Sequence, residues 1–323
     1  MNRKRIGIIG TGAFGIAFAK LCYYNQMDVI CYTKLQEECE NILRERENKS
    51  VLPNIKIDDE IIVTTDLEKT ITNSDIIILV LPVQYLRSTI EEISNFDINN
   101  KAFFIASKGI EQESGLLLSN VFNYYIKTSD LAVISGPGFA FDIATCNKFG
   151  WTIATTNEKM YYLAQEIFAN DYCSLEWSKD LIGVQLCGSL KNIFAIISGL
   201  LNGFNVSDTT KALFFTKAIE ELKNIIMMLG GHEETIMTLS GIGDMYLTCN
   251  SSKSRNFEFG YLLANNKEEA LNYLNTHTVE GVHTLKSVHL LLEKQNINTT
   301  LIEVIYNVIF NDLDSKSVLE SFK

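Results

Sequence analysis

Between Leu181 and Leu201 the chain reads LIGVQLCGSLKNIFAIISGLL, and Lys191 is its single ionisable charged side chain. Burying an unpaired ammonium is costly, so a lysine in such a run faces water, finds a partner or does chemistry. On a helix its face gathers Val184, Cys187, Gly188 and Ala195, by i−7, i−4, i−3 and i+4 spacing. These modest side chains leave room beside the ammonium for something that is not protein. A proton held there could be passed to a substrate oxygen. The plainer alternative, a lysine snorkelling to solvent from the helix edge, stays open at this point.

A second cluster lies in SGIGDMYLTCNSSKSRNFEFG, residues 240–260, where Gly241 and Gly243 flank a bend before Asp244. Ser251, Ser252, Lys253, Ser254, Arg255 and Asn256 then crowd hydroxyls and cations into one short stretch. A guanidinium binds phosphate through two parallel hydrogen bonds, so this is a phosphate clamp or, equally, a polar surface loop.

The third candidate is KRIGIIGTGAFGIAFAK, residues 4–20. Arg3, Lys4 and Arg5, an apolar run and Ala17-Phe18-Ala19 could pass for a secretory signal. The rival reading is a buried strand, Arg5–Ile9, a G-x-G-x-x-G turn at 10–15 and a helix from Ala13 to Cys22. Glycine separates the two, because a signal gains nothing from glycines at these intervals. In a strand–turn–helix unit Gly10 makes the tight turn, Gly12 lets backbone approach a pyrophosphate, and Gly15 lets helix pack on strand. The free N–H groups and positive end of that helix would hold phosphates.

The elements that must position these groups divide the chain in two. Up to about residue 178, β-rich runs alternate with helical stretches: Val29–Tyr32, Ile61–Thr64, Asp75–Pro82, Ala102–Ala106, Leu131–Ser135 and Trp151–Thr155 follow the first strand. Runs apolar on both faces predict a mainly parallel sheet covered on both sides. Ligands of such sheets bind at the carboxyl ends of the strands, where the Gly10–Gly15 turn, Pro82, Lys108 and Gly136-Pro137 fall. Beyond residue 180 the spacing predicts helices over Leu181–Leu201, Thr210–Leu229, Glu268–Leu274, Val282–Lys294 and Leu301–Phe310. The expected architecture is α/β: an N-terminal Rossmann-type doubly wound sheet over 1–178, an all-helical domain over 179–323, and an active site in the cleft between them.

Composition narrows the class. A length of 323 residues suits two domains, and 46% hydrophobic residues suit a globular chain. No apolar run approaching the ~20 residues of a membrane span is expected. A net charge of −11 argues against general nucleic-acid or acidic-membrane binding. Seven cysteines without a CxxC pattern favour reduced thiols and a cytoplasmic setting. The histidines at 232, 277, 283 and 289 show neither HxxxH nor HExxH, so no metal is expected.

A nicotinamide site for NAD usually carries an acidic residue ~20 positions on, against the ribose 2′-hydroxyl. Here the second strand ends Cys31-Tyr32-Thr33-Lys34 and the first carboxylate is Glu37. A missing acid and a present Lys34 favour the extra phosphate of NADP(H) over NAD(H), unless Lys34 is simply a solvated loop lysine.

These segments, in this order, resemble the bacterial-type NAD(P)-dependent glycerol-3-phosphate dehydrogenases. The resemblance covers nearly the whole chain: GTGAFG at 10–15, SKGIE at 107–111, SGPGFA at 135–140, GVQLCGSLKNIFAI at 183–196, GIGDMYLTC at 241–249, SRNFEFG at 254–260 and VEGVHT at 279–284. It implies a cytoplasmic homodimer that reversibly reduces dihydroxyacetone phosphate to sn-glycerol 3-phosphate and so supplies the glycerophospholipid backbone. It also implies Lys191 as the catalytic acid/base. Lys108, Gly136, Asp244, Ser254, Arg255 and Asn256 match substrate-contacting positions. Gly10, Gly12, Ala13, Phe14, Gly15, Lys34, Lys108, Ala140, Arg255, Val279 and Glu280 match cofactor-contacting ones. Two departures stand out: Gly138 replaces the usual serine of SGPSFA, and Val83 replaces a small polar residue after Pro82.

Alternatives from the residues alone are another NADP-dependent hydroxyacid dehydrogenase of the same superfamily, which would not need Ser254-Arg255-Asn256, and a non-catalytic NADP sensor, which would not need Lys191. Burial and the cations Lys108 and Arg255 should lower the Lys191 proton affinity, while Asp244 and a substrate phosphate oppose the fall. The sequence leaves the balance open.

Overall fold

The computed structural model describes residues 3–322. Two compact units share the chain: one comprises residues up to Ser107 with Leu118–Ile134 and Gly138–Leu181, the other Lys108–Leu117, Ser135–Pro137 and the chain from Ile182 on.

The first unit carries an eight-stranded sheet in the order β3-β2-β1-β4-β5-β6-β7-β8. Its strands are β1 Arg5–Ile9, β2 Asp28–Tyr32, β3 Ile62–Thr64, β4 Ile76–Leu79, β5 Ala102–Ile105, β6 Leu131–Ser135, β7 Phe149–Ala154 and β8 Cys173–Ser178. The β1–β2, β2–β3, β1–β4, β4–β5, β5–β6 and β7–β8 pairs are parallel. The order reverses between β1 and β4, the switch point beside which such sheets bind nucleotides. Strands β1, β4 and β5 are buried on both faces because helices cover them, and Phe18, Trp151, Phe168 and Phe104 fill one layer; the Phe18 and Trp151 rings stack at 4.7 Å. Sequence reading misses β8, whose polar and half-exposed residues lack the apolar run of its neighbours.

The second unit is helical. Its centre is Leu181–Gly203, two residues longer than the spacing predicts, with Asp208–Met228, Arg255–Asn265, Lys267–Thr276, Glu280–Lys294 and Leu301–Phe310 around it. By length and composition Leu181–Gly203 is apolar enough to cross a membrane, which corrects the expectation that no run comes near that length. Most of it (83% of the most apolar window) is buried inside the fold, so the same apolarity makes it a core helix. All seven cysteines are free thiols.

Candidate active site

Gly10 has φ +121°, a conformation that L side chains rarely adopt, and its N–H donates to the Tyr32 carbonyl at 2.9 Å. A Cβ at Gly15 would lie 2.0 Å from the Gly10 carbonyl oxygen, so only glycine lets the helix Ala13–Tyr24 start this close to β1. A Cβ at Gly12 would meet nothing within 4 Å. Gly12 is the N-cap and uses no side-chain cap, while Ala13 and Phe14 form the first turn. A tight turn, an open backbone edge and a helix N-terminus free of acidic residues together suit a pyrophosphate, so the residues present fit a dinucleotide. Behind them Asn48 Nδ2 donates to the Thr11 carbonyl (3.1 Å) and to Glu38 Oε1 (2.7 Å), and Thr33 Oγ1 donates to Glu38 Oε2. Lys34 follows Thr33 and is exposed. Ala140 opens the short helix Ala140–Ala144, and a side chain at Gly138 would press on Ile143 Cδ1 at 3.2 Å.

The helical unit brings Lys108, Gly136, Lys191 and Asp244 together. Asp244, 1% exposed, accepts from Lys191 Nζ through Oδ1 at 2.5 Å and from Lys108 Nζ through Oδ2 at 2.7 Å. Lys191 Nζ also donates to Thr248 Oγ1 (3.0 Å), and Thr248 Oγ1 donates to the Asp244 carbonyl (2.7 Å). Lys108 Nζ reaches the Gly136 carbonyl at 3.5 Å. Lys191 therefore neither snorkels nor borders an empty face: the space beside Gly188 holds Ser135 Oγ and the Lys108 stem. With both lysines protonated the cluster carries a net positive charge beside a neutralised carboxylate. Burial pulls the Lys191 ammonium down from its usual value to about 8; Lys108 adds to the fall and Asp244 opposes it. Burial wins the contest that the sequence leaves open.

Asp244 owes its position to the bend before it. A π-helical turn, Leu239–Gly243, precedes the helix Asp244–Cys249, and Gly241 departs from helical dihedrals there. A Cβ at Gly241 would come 2.3 Å from the Ile236 carbonyl oxygen. Thr248 escapes the sequence reading, although its place one helical turn after Asp244 is the signal that would have found it.

Ser254, Arg255 and Asn256 form the N-cap and first two residues of the helix Arg255–Asn265. Ser254 Oγ caps it by accepting from the Phe257 N–H, and the Arg255 side chain is exposed. Asn256 is buried with both ends of its amide engaged: Nδ2 donates to Asn192 Oδ1 (3.0 Å) and Oδ1 accepts from the Gly281 N–H (2.8 Å). Asn192 Nδ2 in turn lies 3.4 Å from Glu280 Oε2. Val279 and Glu280 are the N-cap and first residue of Glu280–Lys294. Lys191 and Asn192, adjacent on one helix, thus face the carboxylate cluster and the amide network respectively.

A parallel sheet with a glycine turn at its switch point and a buried lysine held by a carboxylate suit a dinucleotide-dependent dehydrogenase. Comparison with known proteins resolves the family. The model of the NAD-dependent glycerol-3-phosphate dehydrogenase N-terminus matches residues 5–161, and that of the C-terminus matches residues 180–320. The glycerol-3-phosphate dehydrogenase (NAD(P)+) of Agathobacter rectalis is 32% identical over 318 residues, 98% of this chain and 94% of that protein. Its Staphylococcus epidermidis counterpart is 33% identical, over 98% of this chain and 96% of its own. The crystal structure of glycerol-3-phosphate dehydrogenase from Coxiella burnetii superposes with a TM-score of 0.94, at 26% identity and 98% coverage of both chains. The chain belongs to the NAD-dependent glycerol-3-phosphate dehydrogenase family.

Proposed function

We propose that this protein reversibly reduces dihydroxyacetone phosphate to sn-glycerol 3-phosphate, with Lys191 as the proton donor and acceptor. The observation that carries the proposal is the Lys191–Asp244–Lys108 cluster: a buried ammonium whose proton affinity sits close to neutrality, held by a carboxylate. A bound nicotinamide cofactor supplies the hydride. As charge develops on the C2 oxygen, the Lys191 ammonium stabilises it and delivers its proton. In the reverse direction neutral Lys191 takes the proton from the C2 hydroxyl. Asp244 fixes Lys191 through one oxygen and Lys108 through the other, and the surplus positive charge favours an anionic substrate.

In this reading the phosphate is held by Arg255, Ser254 and the one Nδ2 hydrogen that Asn256 keeps free of its network, at the N-terminus of Arg255–Asn265, where exposed guanidinium and helix dipole act together. Residues 1–178 bind the dinucleotide through Gly10, Gly12, Ala13, Phe14, Gly15 and Ala140, and 179–323 carry the chemistry together with Lys108, which, with Val279 and Glu280, serves the cofactor as well. NADP(H) is preferred over NAD(H): Lys34 follows β2, whereas each carboxylate oxygen of Glu38 already accepts a hydrogen bond, from Thr33 or from Asn48. The enzyme works as a cytoplasmic homodimer and feeds glycerophospholipid synthesis. Turnover of dihydroxyacetone phosphate by the purified protein with NADPH, and with NADH, tests the reaction directly; no oxidation of either would refute it.

A further inference from the structure

Ser135 Oγ is buried and has no hydrogen-bond partner among the described residues. An unpaired buried hydroxyl destabilises a fold, so its persistence calls for a reason. Its neighbourhood supplies one. A Cβ at Gly188 would lie 2.7 Å from Ser135 Oγ and 3.8 Å from Lys108 Cδ, so glycine at 188 keeps open the volume that the hydroxyl occupies. Gly188 stands three residues before Lys191 on the same face of the Leu181–Gly203 helix. The residue after Ser135, Gly136, offers its carbonyl to Lys108. The hydroxyl and the Lys108 stem thus flank the same glycine of the Lys191 helix, and the hydroxyl bonds to no member of the lysine–carboxylate cluster.

Its chemistry differs from that of its neighbours. Lys108 and Lys191 are donors only, and both Asp244 oxygens are already engaged. Thr248 Oγ1 is engaged both ways, accepting from Lys191 and donating to the Asp244 carbonyl. Ser135 alone offers an unengaged hydroxyl, able both to donate and to accept, which is what a neutral alcohol requires. Dihydroxyacetone phosphate presents three polar groups: a phosphate for the Arg255 helix end, a C2 oxygen for Lys191, and a C1 hydroxyl.

We infer that Ser135 Oγ binds the C1 hydroxyl of the substrate and so discriminates against phosphorylated ketones that lack it. A site built to hydrogen-bond a hydroxyl rejects analogues without one. This assignment rests on the reaction proposed above. It is tested by measuring kcat/KM of wild type and Ser135→Ala on dihydroxyacetone phosphate and on hydroxyacetone phosphate, which carries a methyl group in place of the hydroxymethyl, with Tm recorded for both proteins. The variant should lose about tenfold on dihydroxyacetone phosphate and change little on the analogue. Its Tm should equal or exceed that of wild type, because the unpaired hydroxyl is gone. Equal losses on both substrates, or no loss on dihydroxyacetone phosphate, would overturn the assignment while leaving the reaction intact. Wild type inactive on both would overturn the reaction and this assignment with it.

Discussion

The Lys191 ammonium and the Asp244 carboxylate stand 2.5 Å apart, joined across 53 positions of sequence, with Asp244 almost fully buried. Burial and Lys108 lower the Lys191 proton affinity while Asp244 raises it, and the balance settles at about 8. In the proposed mechanism ketone reduction needs the protonated lysine, so kcat/KM for dihydroxyacetone phosphate should be level below that pH and fall tenfold per unit above it. Alcohol oxidation needs the neutral lysine and should show the mirror image. Lys108→Met removes a lowering charge and should move the limb to higher pH. Asp244→Asn removes a raising charge and should move it lower, while destabilising the fold by about 3–5 kcal/mol because two lysines lose their counter-charge. pH–rate profiles of the three proteins check the signs; limbs that do not move in opposite directions would refute the role of the cluster.

In the proposed reading cofactor choice turns on Lys34. Its ammonium follows β2 and is exposed, whereas Glu38 is turned inward to Thr33 and Asn48. Lys34→Ala should raise KM for NADPH about tenfold, the loss expected for a charged hydrogen bond, and leave KM for NADH nearly unchanged. Equal effects on the two cofactors would remove Lys34 from 2′-phosphate recognition.

In the proposed reading phosphate recognition turns on Arg255, the exposed first residue of its helix. Arg255→Ala should cost about 2 kcal/mol or more in kcat/KM for dihydroxyacetone phosphate, and far less for unphosphorylated dihydroxyacetone. Parallel losses would assign Arg255 to the cofactor or the fold.

Periodicity made the two-part architecture legible, because helix-covered parallel strands and an apolar core helix leave period and composition signatures. The glycine turn was legible for the same reason that it folds: Gly10, Gly12 and Gly15 meet three different steric demands. Lys191 announced itself as the one charge in an apolar helix. Its partners were named through the family resemblance, not through any local pattern. Lys108 and Asp244 lie 136 residues apart, and no local pattern states that one carboxylate will bridge two lysines. The Asn192–Asn256–Gly281 network is likewise a product of tertiary packing. Ser254 looked like a phosphate donor in the sequence, and the structure adds a capping bond that its position before a helix could have foretold.

The central claim is that Lys191 moves the proton, and Lys191→Met tests it most directly, since methionine keeps much of the length and removes the charge and the donors. NADPH affinity, read by fluorescence, separates lost chemistry from a collapsed site when measured beside kcat. The variant should fold, bind NADPH as wild type does, and lose ~10²–10⁴-fold in kcat, the usual share of general acid catalysis. A Lys191→Met protein that binds NADPH and reduces dihydroxyacetone phosphate at a near-normal kcat would contradict the account.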